Sequence, residues 1–341
     1  MMHLYFKFII TLCLYLVVSG CGDKKTTLVV YTTHGKDLIE EYVTAFEKEK
    51  PTVKVYAIDM GSQDALDRIR SESVNPQASV WWGAPAPLFM QAQTEDLLTP
   101  YEPSWSQFIE PFYGDENHHW YGTYLTPEVI AYNSEKLTKE MAPQDWDDLL
   151  TPEWKDRIVI RNPLASGTMR AIFISRVLEA LRAGKTAEDG FAWLKKLDAN
   201  THSYASDPTM LYIKLSRGES EITLWNMPDI MLQRNQNNYP FDFVLPKSGT
   251  VVVTDCIALI KGGKHPQLAK EFYEFVTTRE ALVNQAHKYY RIPARNDIDR
   301  AALPEWMREP INAIPMDWPL FAKKSNEWMR YWDENIRNQG K

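Results

Sequence analysis

The sequence predicts an α/β protein of two lobes joined by two extended crossings, and three observations predict it. Residues 27–58 read strand, polar turn, helix, strand, a βαβ unit that calls for a parallel sheet. Several later strands also stop at small polar residues that open a helix. Two long strand-like stretches, 121–133 and 251–260, stand far apart in the chain with a further α/β pattern between them. A chain of 341 residues, 24% charged and without a Gly- or Ser-rich tract, is ample for two core-forming lobes.

Taken in order, residues 27–31 (T-L-V-V-Y) make a short strand. Thr32, Thr33, His34 and Gly35 follow, then a helix with Ile39, Val43 and Phe46 on one face, stopped by Pro51. Residues 53–58 form the second strand. In parallel sheets ligands lie beyond the carboxyl ends of the strands, so Thr32, Thr33 and His34 are placed to touch one. A modest helix covers 64–70. Residues 79–85 are a strand running into a tight turn, with Trp81 and Trp82 on opposite faces. One of the two belongs to the core and the other is a candidate to line a cleft. His118 and His119 lie in a polar loop and lack the helical spacing and partners of a zinc site.

Residues 121–133, interrupted by Pro127, form the first crossing. The apolar run 158–160 stops at a loop containing Pro163, and a helix follows. Met169, Ile172, Phe173, Val177, Ala180 and Leu181 form its apolar stripe, while Arg170, Arg176, Glu179 and Arg182 face away. Ser166 or Thr168 sits where an N-cap belongs, and Gly167 lets backbone amides come close to what lies in front. A helix start leaves unpaired N–H groups and partial positive charge, so Ser166, Gly167 and Thr168 can cradle an anion. An ordinary capped helix has the same local pattern. Further on, 190–197 is helical, Ser206 or Asp207 caps a helix opened by Pro208, and strand 221–225 stops at Asn226 before Pro228 opens the next helix. Residues 251–260 make the return crossing, with Cys256 as a buried, inert thiol. His265-Pro266 starts a helix carrying Leu268, Phe272, Phe275 and Val276, and the tail from Leu303 onward reads as helix packed outside.

Composition excludes several functions. A net charge of −7 with no Lys/Arg run argues against nucleic acid. No G-x-S-x-G, H-E-x-x-H or P-loop is present, so nothing marks an enzyme, a cofactor or a metal centre. Lys7 is the only charge in the first 20 residues, and the apolar run 8–18 is too short to span a membrane. It ends in Val18-Ser19-Gly20-Cys21, which resembles the bacterial lipobox. That resemblance implies a lipoprotein signal peptide over 1–20, lipidation of Cys21, and a polar tether over 21–26. Acyl chains would then hold the protein on a membrane without a spanning helix. With Cys13 removed and Cys21 lipidated, only Cys256 remains, and no intramolecular disulfide is possible.

These segments in this order resemble the solute-binding proteins of bacterial ABC transporters, over nearly all of 27–300. The carriers are Val29-Val30-Tyr31 with its helix, Val80-Trp81-Trp82-Gly83, the crossing from Trp120 to Asn133, Asn162 to Thr168, Gly218 to Ile222, His265 to Val276, and Arg291 to Arg295. The resemblance implies a type II-like periplasmic-binding-protein fold with two hinge crossings. Lobe one is then 27–124 plus 257–341, and lobe two is 125–256. It implies a monomer in the periplasm or at the cell surface that captures a small anionic ligand by hinge closure and presents it to a membrane permease.

The closest branch binds ferric iron, phosphonates or sugar phosphates. Where its iron binders carry adjacent tyrosines, this chain has Asn226-Met227-Pro228-Asp229, and hard ferric iron needs anionic oxygen donors. Iron remains the alternative because His34 lies where some iron binders place a histidine. A sensor lipoprotein serving a membrane kinase is a further alternative. The pattern suits a phosphorylated small molecule. Thr32, Thr33 and Gly35 would offer donors, and Ser166, Gly167 and Thr168 would take the phosphate oxygens. Asp207, Asn226 and Asp229 would accept hydrogen bonds from sugar or amine hydrogens, with Trp81 or Trp225 covering an apolar face.

Overall fold

The computed structural model describes residues 25–308 and 310–338. Cys21 and the signal-like segment lie outside the described residues. Lobe one is built on strands β1 (Thr26–Thr32), β2 (Val53–Asp59) and β3 (Val80–Pro85), in the order β2-β1-β3 with both pairings parallel. Helices α1 (Lys36–Glu49), α2 (Ser62–Ser71) and α3 (Ala86–Thr94) follow these strands, as the βαβ pattern requires. A two-residue strand β4 (Leu98–Thr99) comes next, and then the 13-residue strand β5 (Tyr121–Asn133).

Strand β5 belongs to both lobes. Its first half pairs with the return strand β10 (Val252–Ile260) and with β11 (Ile292–Pro293); its second half pairs with β8 (Ile222–Asn226) and β9 (Phe241–Val244). The change of partner falls at Pro127, which has no N–H to give a ladder. Lobe two is a second parallel set, β6 (Ile158–Arg161) between β7 (Thr201–Ala205) and β8. Its helices are α4 (Gly167–Arg182), α5 (Ala187–Asn200), α6 (Pro208–Ser216) and α7 (Met227–Asn237). Helices α8 (Pro266–Val276) and α9 (Arg279–Tyr289) cover lobe one, and α10 (Trp318–Asn335) ends the chain. Among the described residues no helix is long and apolar enough to cross a membrane.

The packing departs from the sequence expectations in four places. Trp81 and Trp82 do point to opposite faces of the sheet, but both are fully buried. Trp82 packs with Phe272, and Trp81 stacks on Phe89 at 3.9 Å. The buried face of α1 is Leu38, Tyr42 and Phe46, rotated one residue from Ile39 and Val43. The turn is fixed by Tyr42, whose hydroxyl donates to the Ala281 carbonyl at 2.7 Å and whose ring meets Trp82.

Arg170 and Arg176, expected to face away, are buried because α4 is covered on more than one side. Arg176 lies over the rings of Trp146 and Trp193 and pairs with Glu179 at 2.9 Å. Arg170 donates to Asn326 Oδ1 at 2.7 Å. That contact reveals the fourth departure. The C-terminal helix is present, but it is no outer appendage: Phe321, Trp328, Met329 and Trp332 are buried in the core of lobe two. Trp332 meets Phe173 and Tyr204. On its other side Gln91 of α3 donates to the Ala322 carbonyl at 3.0 Å and to Ser325 Oγ at 3.1 Å, so α10 touches both lobes.

Candidate binding cleft

Six strand-to-helix corners meet around one cavity of about 580 Å³. Lobe one contributes the carboxyl ends of β1, β2 and β3 through Thr33, Gly35, Gly61, Ser62 and Pro85. Lobe two contributes those of β6, β7 and β8 through Arg161, Ser166, Gly167, Thr168, Asp207 and Asn226. The crossings supply the floor through Thr126, Glu128, Val253 and Asp255. The lobes touch at the cavity rim. A Cβ on Gly167 would lie 2.7 Å from Pro85 Cγ and 2.9 Å from Ser62 Oγ, and one on Gly61 would lie 2.9 Å from the Ala165 carbonyl. Only the missing side chains let the starts of α2 and α4 come this close.

Among the residues singled out from the sequence, Thr33, Gly35, Ser166, Gly167, Thr168, Asp207, Trp225, Asn226 and Asp229 line this cavity. Thr32, His34 and Trp81 do not. Thr32 is buried at the end of β1, where its hydroxyl accepts from the His34 amide at 3.2 Å. His34 is buried edge-on against Trp82, with Nδ1 2.7 Å from the Tyr124 hydroxyl. Burial, with Arg291 nearby, pushes its imidazole well below the usual value, so the ring is neutral. Trp81 is a core residue, because the side chains of α2 and α3 pack over its face of the sheet and Phe89 stacks on its ring.

Several of the expected acceptors already have donors within the protein. Asp207 caps α6, accepting from the Met210 amide at 2.8 Å and from Ser206 Oγ at 2.7 Å, and these bonds hold its carboxyl below the usual range. Asp229 is saturated. One oxygen accepts from Trp225 Nε1 at 3.2 Å and Asn226 Nδ2 at 2.8 Å, and the other pairs with Arg291 at 2.9 Å. Asn226 in turn accepts from the Asp229 amide, capping α7. Ser166 caps α4 through the Met169 amide at 3.3 Å, which leaves the amides of Gly167 and Thr168 ahead of the first intrahelical acceptor.

The groups with unmet demand were not picked out from the sequence. Arg161, the last residue of β6, is half-buried at the cavity, 5.7 Å from the Trp225 ring, and its Nε has no partner. Burial lowers its pKa, although a guanidinium keeps its proton at any physiological pH. Glu128 is fully buried at the floor, and burial raises its carboxyl well above the usual range. Beside it, burial pushes Asp255 up to about 6, against the pull of the Thr126 hydroxyl at 2.5 Å and of Arg291. Arg291 keeps its charge: burial works against it, but Tyr124, Asp229 and Asp255 outweigh that. One signal was available. Glu128 is the only charged residue in an otherwise apolar and hydroxylic crossing, and Arg161 ends a strand at the same kind of corner as Thr33.

Known proteins agree with this geometry. The family profile described as bacterial extracellular solute-binding protein matches residues 84–318. The chain is 24% identical over 318 residues to a probable ABC transporter periplasmic-binding protein of Sinorhizobium fredii, covering 91% of this chain and 87% of that one. It is 24% identical over 250 residues to a putative 2-aminoethylphosphonate-binding periplasmic protein of Salmonella typhimurium, covering 72% and 71%. In fold it is similar to the periplasmic binding protein AfuA of Actinobacillus pleuropneumoniae, solved with exogenous fructose-6-phosphate, at TM-score 0.80 and 24% identity, covering 92% and 99%. It is also similar to a ferric binding protein of Campylobacter jejuni, at TM-score 0.75 and 21% identity, covering 90% and 98%. Such proteins bind small ligands and work with a membrane permease; they are not enzymes. The two-lobed sheet, the cleft at its strand ends and the match over most of the chain place this protein in the family of bacterial extracellular solute-binding proteins, as the solute-binding component of an ABC importer.

Proposed function

We propose that the cargo is a small phosphorylated organic anion, a sugar phosphate, phosphoglycerate or phosphonate, held between the lobes and released to the permease when they open. The observation that carries this reading is Arg161, a guanidinium at the cavity that makes no ion pair with any described residue and stands beside the start of α4. A phosphoryl group would meet its charge together with the free amides of Gly167 and Thr168. The same positive charge would repel bare ferric iron. Each helix start adds about 0.3–1 kcal/mol for an anion, and charge-assisted hydrogen bonds add about 1.5–3 kcal/mol each, enough for micromolar binding or better.

On this reading 27–124 with α8 and α9 form one moving lobe and 125–256 the other. Helix α10, expected with 257–341 in lobe one but buried in the core of lobe two, travels with 125–256 about the crossings. Lipidation of Cys21 would hold the protein at the membrane, and Cys21→Ser should move it to the soluble fraction. A serine variant that stays with membranes would remove the anchor from this account. For the cargo, thermal unfolding of the purified protein is compared with sugar phosphates, phosphoglycerates, phosphonates, inorganic phosphate and ferric citrate. A true ligand at about a hundred times its Kd adds about 2.7 kcal/mol and raises Tm by several degrees. A rise with ferric citrate alone would overturn the reading.

A further inference from the structure

The floor of the cleft forms where the two crossings lie side by side, with Val252 of β10 opposite Pro127 of β5 and Glu128 paired to Asn226 of β8. Glu128 is 0% exposed and lines the cavity, and neither of its carboxyl oxygens has a hydrogen-bond partner among the described residues. A carboxyl in that position is costly to ionise and costly to leave unsatisfied. The charged groups bearing on it are Asp255 from β10, Asp229 from α7, and Arg291 from the segment before β11. Arg291 already pairs with Asp229 at 2.9 Å, and Asp255 already accepts from Thr126. Three carboxyls share one guanidinium, and Glu128 is the one left over.

Arg161 lines the same cavity and makes no ion pair among the described residues, with Asp59, Asp64, Asp207 and Asp229 bearing on it only through space. One cleft therefore contains a guanidinium without an ion pair and a carboxyl without a hydrogen-bond partner among the described residues. We infer that the cargo is a zwitterion, whose phosphoryl group lies at Arg161 and the α4 start and whose ammonium group docks on Glu128. This rests on the phosphoryl reading above and narrows it to aminoalkyl phosphonates and amino phosphate esters. An ammonium group supplies three donors and the positive charge that the floor is short of. A sugar hydroxyl supplies a hydrogen bond and no charge. In the empty cleft burial, with Asp255 and Asp229 behind it, keeps a proton on Glu128 against the pull of Arg291. Docking of the ammonium group ionises Glu128, and that proton leaves to solvent, about one for each ligand bound.

The test is titration calorimetry on the full chain in detergent at pH 7, in two buffers of different protonation enthalpy. The probes are 2-aminoethylphosphonate, ethylphosphonate (the same molecule without the amine) and fructose-6-phosphate. The expected result is at least tenfold tighter binding of the amine than of ethylphosphonate, with about one proton released for the amine beyond what each probe's own phosphoryl ionisation contributes. Glu128→Gln should shrink that tenfold gap to nearly nothing and abolish the release. Glu128→Met, which removes the polar atoms, serves as the second variant, and the Tm of both shows that they fold. Equal binding of the three probes, or an unchanged gap in both variants, would overturn the ammonium site while leaving the phosphoryl reading standing. No binding of any phosphoryl probe would overturn both.

Discussion

The helices that lobe one aims at the cleft start at Gly35, Gly61 and Pro85, and none of these carries a side-chain cap. Those of lobe two start at Ser166, Asp207 and Asn226, and each side chain accepts a bond from its own first turn. The two lobes thus present the same corner geometry with different chemistry. Lobe two ties one amide of each helix start to its own cap, leaves the Gly167 and Thr168 amides of α4 open, and adds Arg161, a charge without an ion pair among the described residues. Lobe one leaves its first amides open and contributes no free cation at its corners except the solvated Lys36. The difference suggests a division of labour in which lobe two orients the anion and lobe one completes its hydrogen bonds on closure.

The largest effect should come from keeping the lobes apart. Gly167→Leu puts a side chain where even a Cβ lies 2.7 Å from Pro85, so closure is blocked while each lobe still folds. Affinity should fall a hundredfold or more, about 2.7 kcal/mol, with an expanded scattering profile in the presence of ligand. Unchanged affinity would mean that the contact between the starts of α2 and α4 plays no part in binding.

Next in size is Arg161→Met, which removes the charge of lobe two and keeps the packing against Trp225. Binding should weaken tenfold to a hundredfold, the range of a charge-assisted hydrogen bond. The empty protein should lose no stability, because a half-buried cation without a partner contributes none. A large drop in Tm with intact binding would assign Arg161 to the fold instead.

The comparison itself is tested by giving lobe one a cap of its own. A Cβ added to Gly35 would meet no atom within 4 Å, and the backbone there is extended, with φ −61°, so serine fits. Gly35→Ser would offer the open amides of α1 an internal acceptor, and affinity should fall severalfold with Tm unchanged or slightly raised. The mirror change, Ser166→Ala, removes a cap from lobe two. It should cost about 0.5–2 kcal/mol of stability, a few degrees in Tm. If both substitutions affect stability alike, the caps do not distinguish the lobes.

The last effect, read in stability and not in affinity, belongs to the floor between them. Asp255 is pushed up to about 6 by burial, so the folded chain keeps its proton where the unfolded chain, with a carboxyl near 4, has lost it. Its contribution favours folding at low pH and is lost as pH rises from about 4 to 6, on the order of 3 kcal/mol in all. The difference in Tm between Asp255→Asn and the unaltered protein, followed from pH 4 to pH 7, should change through that window and be flat above it. A difference independent of pH would mean that Asp255 is ionised throughout.

How much of this was legible depends on the range of the interactions involved. The βαβ order, the crossings at Pro127 and 251–260, and the capped start at Ser166 follow from periodicity and capping chemistry, which act over a few residues. That is why Thr33, Gly35, Ser166, Gly167 and Thr168 could be placed at the cleft from their neighbours in the chain. Trp81 could not be separated from Trp82 in the same way, because both alternate correctly and only the layers packed on each face show that neither reaches the cleft.

The C-terminal helix shows the same limit. Its Trp- and Met-rich composition indicated a helix, but the burial of Trp332 against Phe173 and Tyr204 depends on residues over a hundred positions away. Arg161 and Arg291 make the point most sharply. Each borders a short apolar strand, and nothing local tells them apart. Folding brings Asp229 to Arg291 across 62 residues and brings no described carboxylate within ion-pair distance of Arg161. Local pattern along the chain was enough to set the class of fold, the corners and the kind of protein. Which charges stay without an ion pair in the cleft emerges only in the folded chain, because neutralisation and burial are set by groups that meet through space and not along the chain.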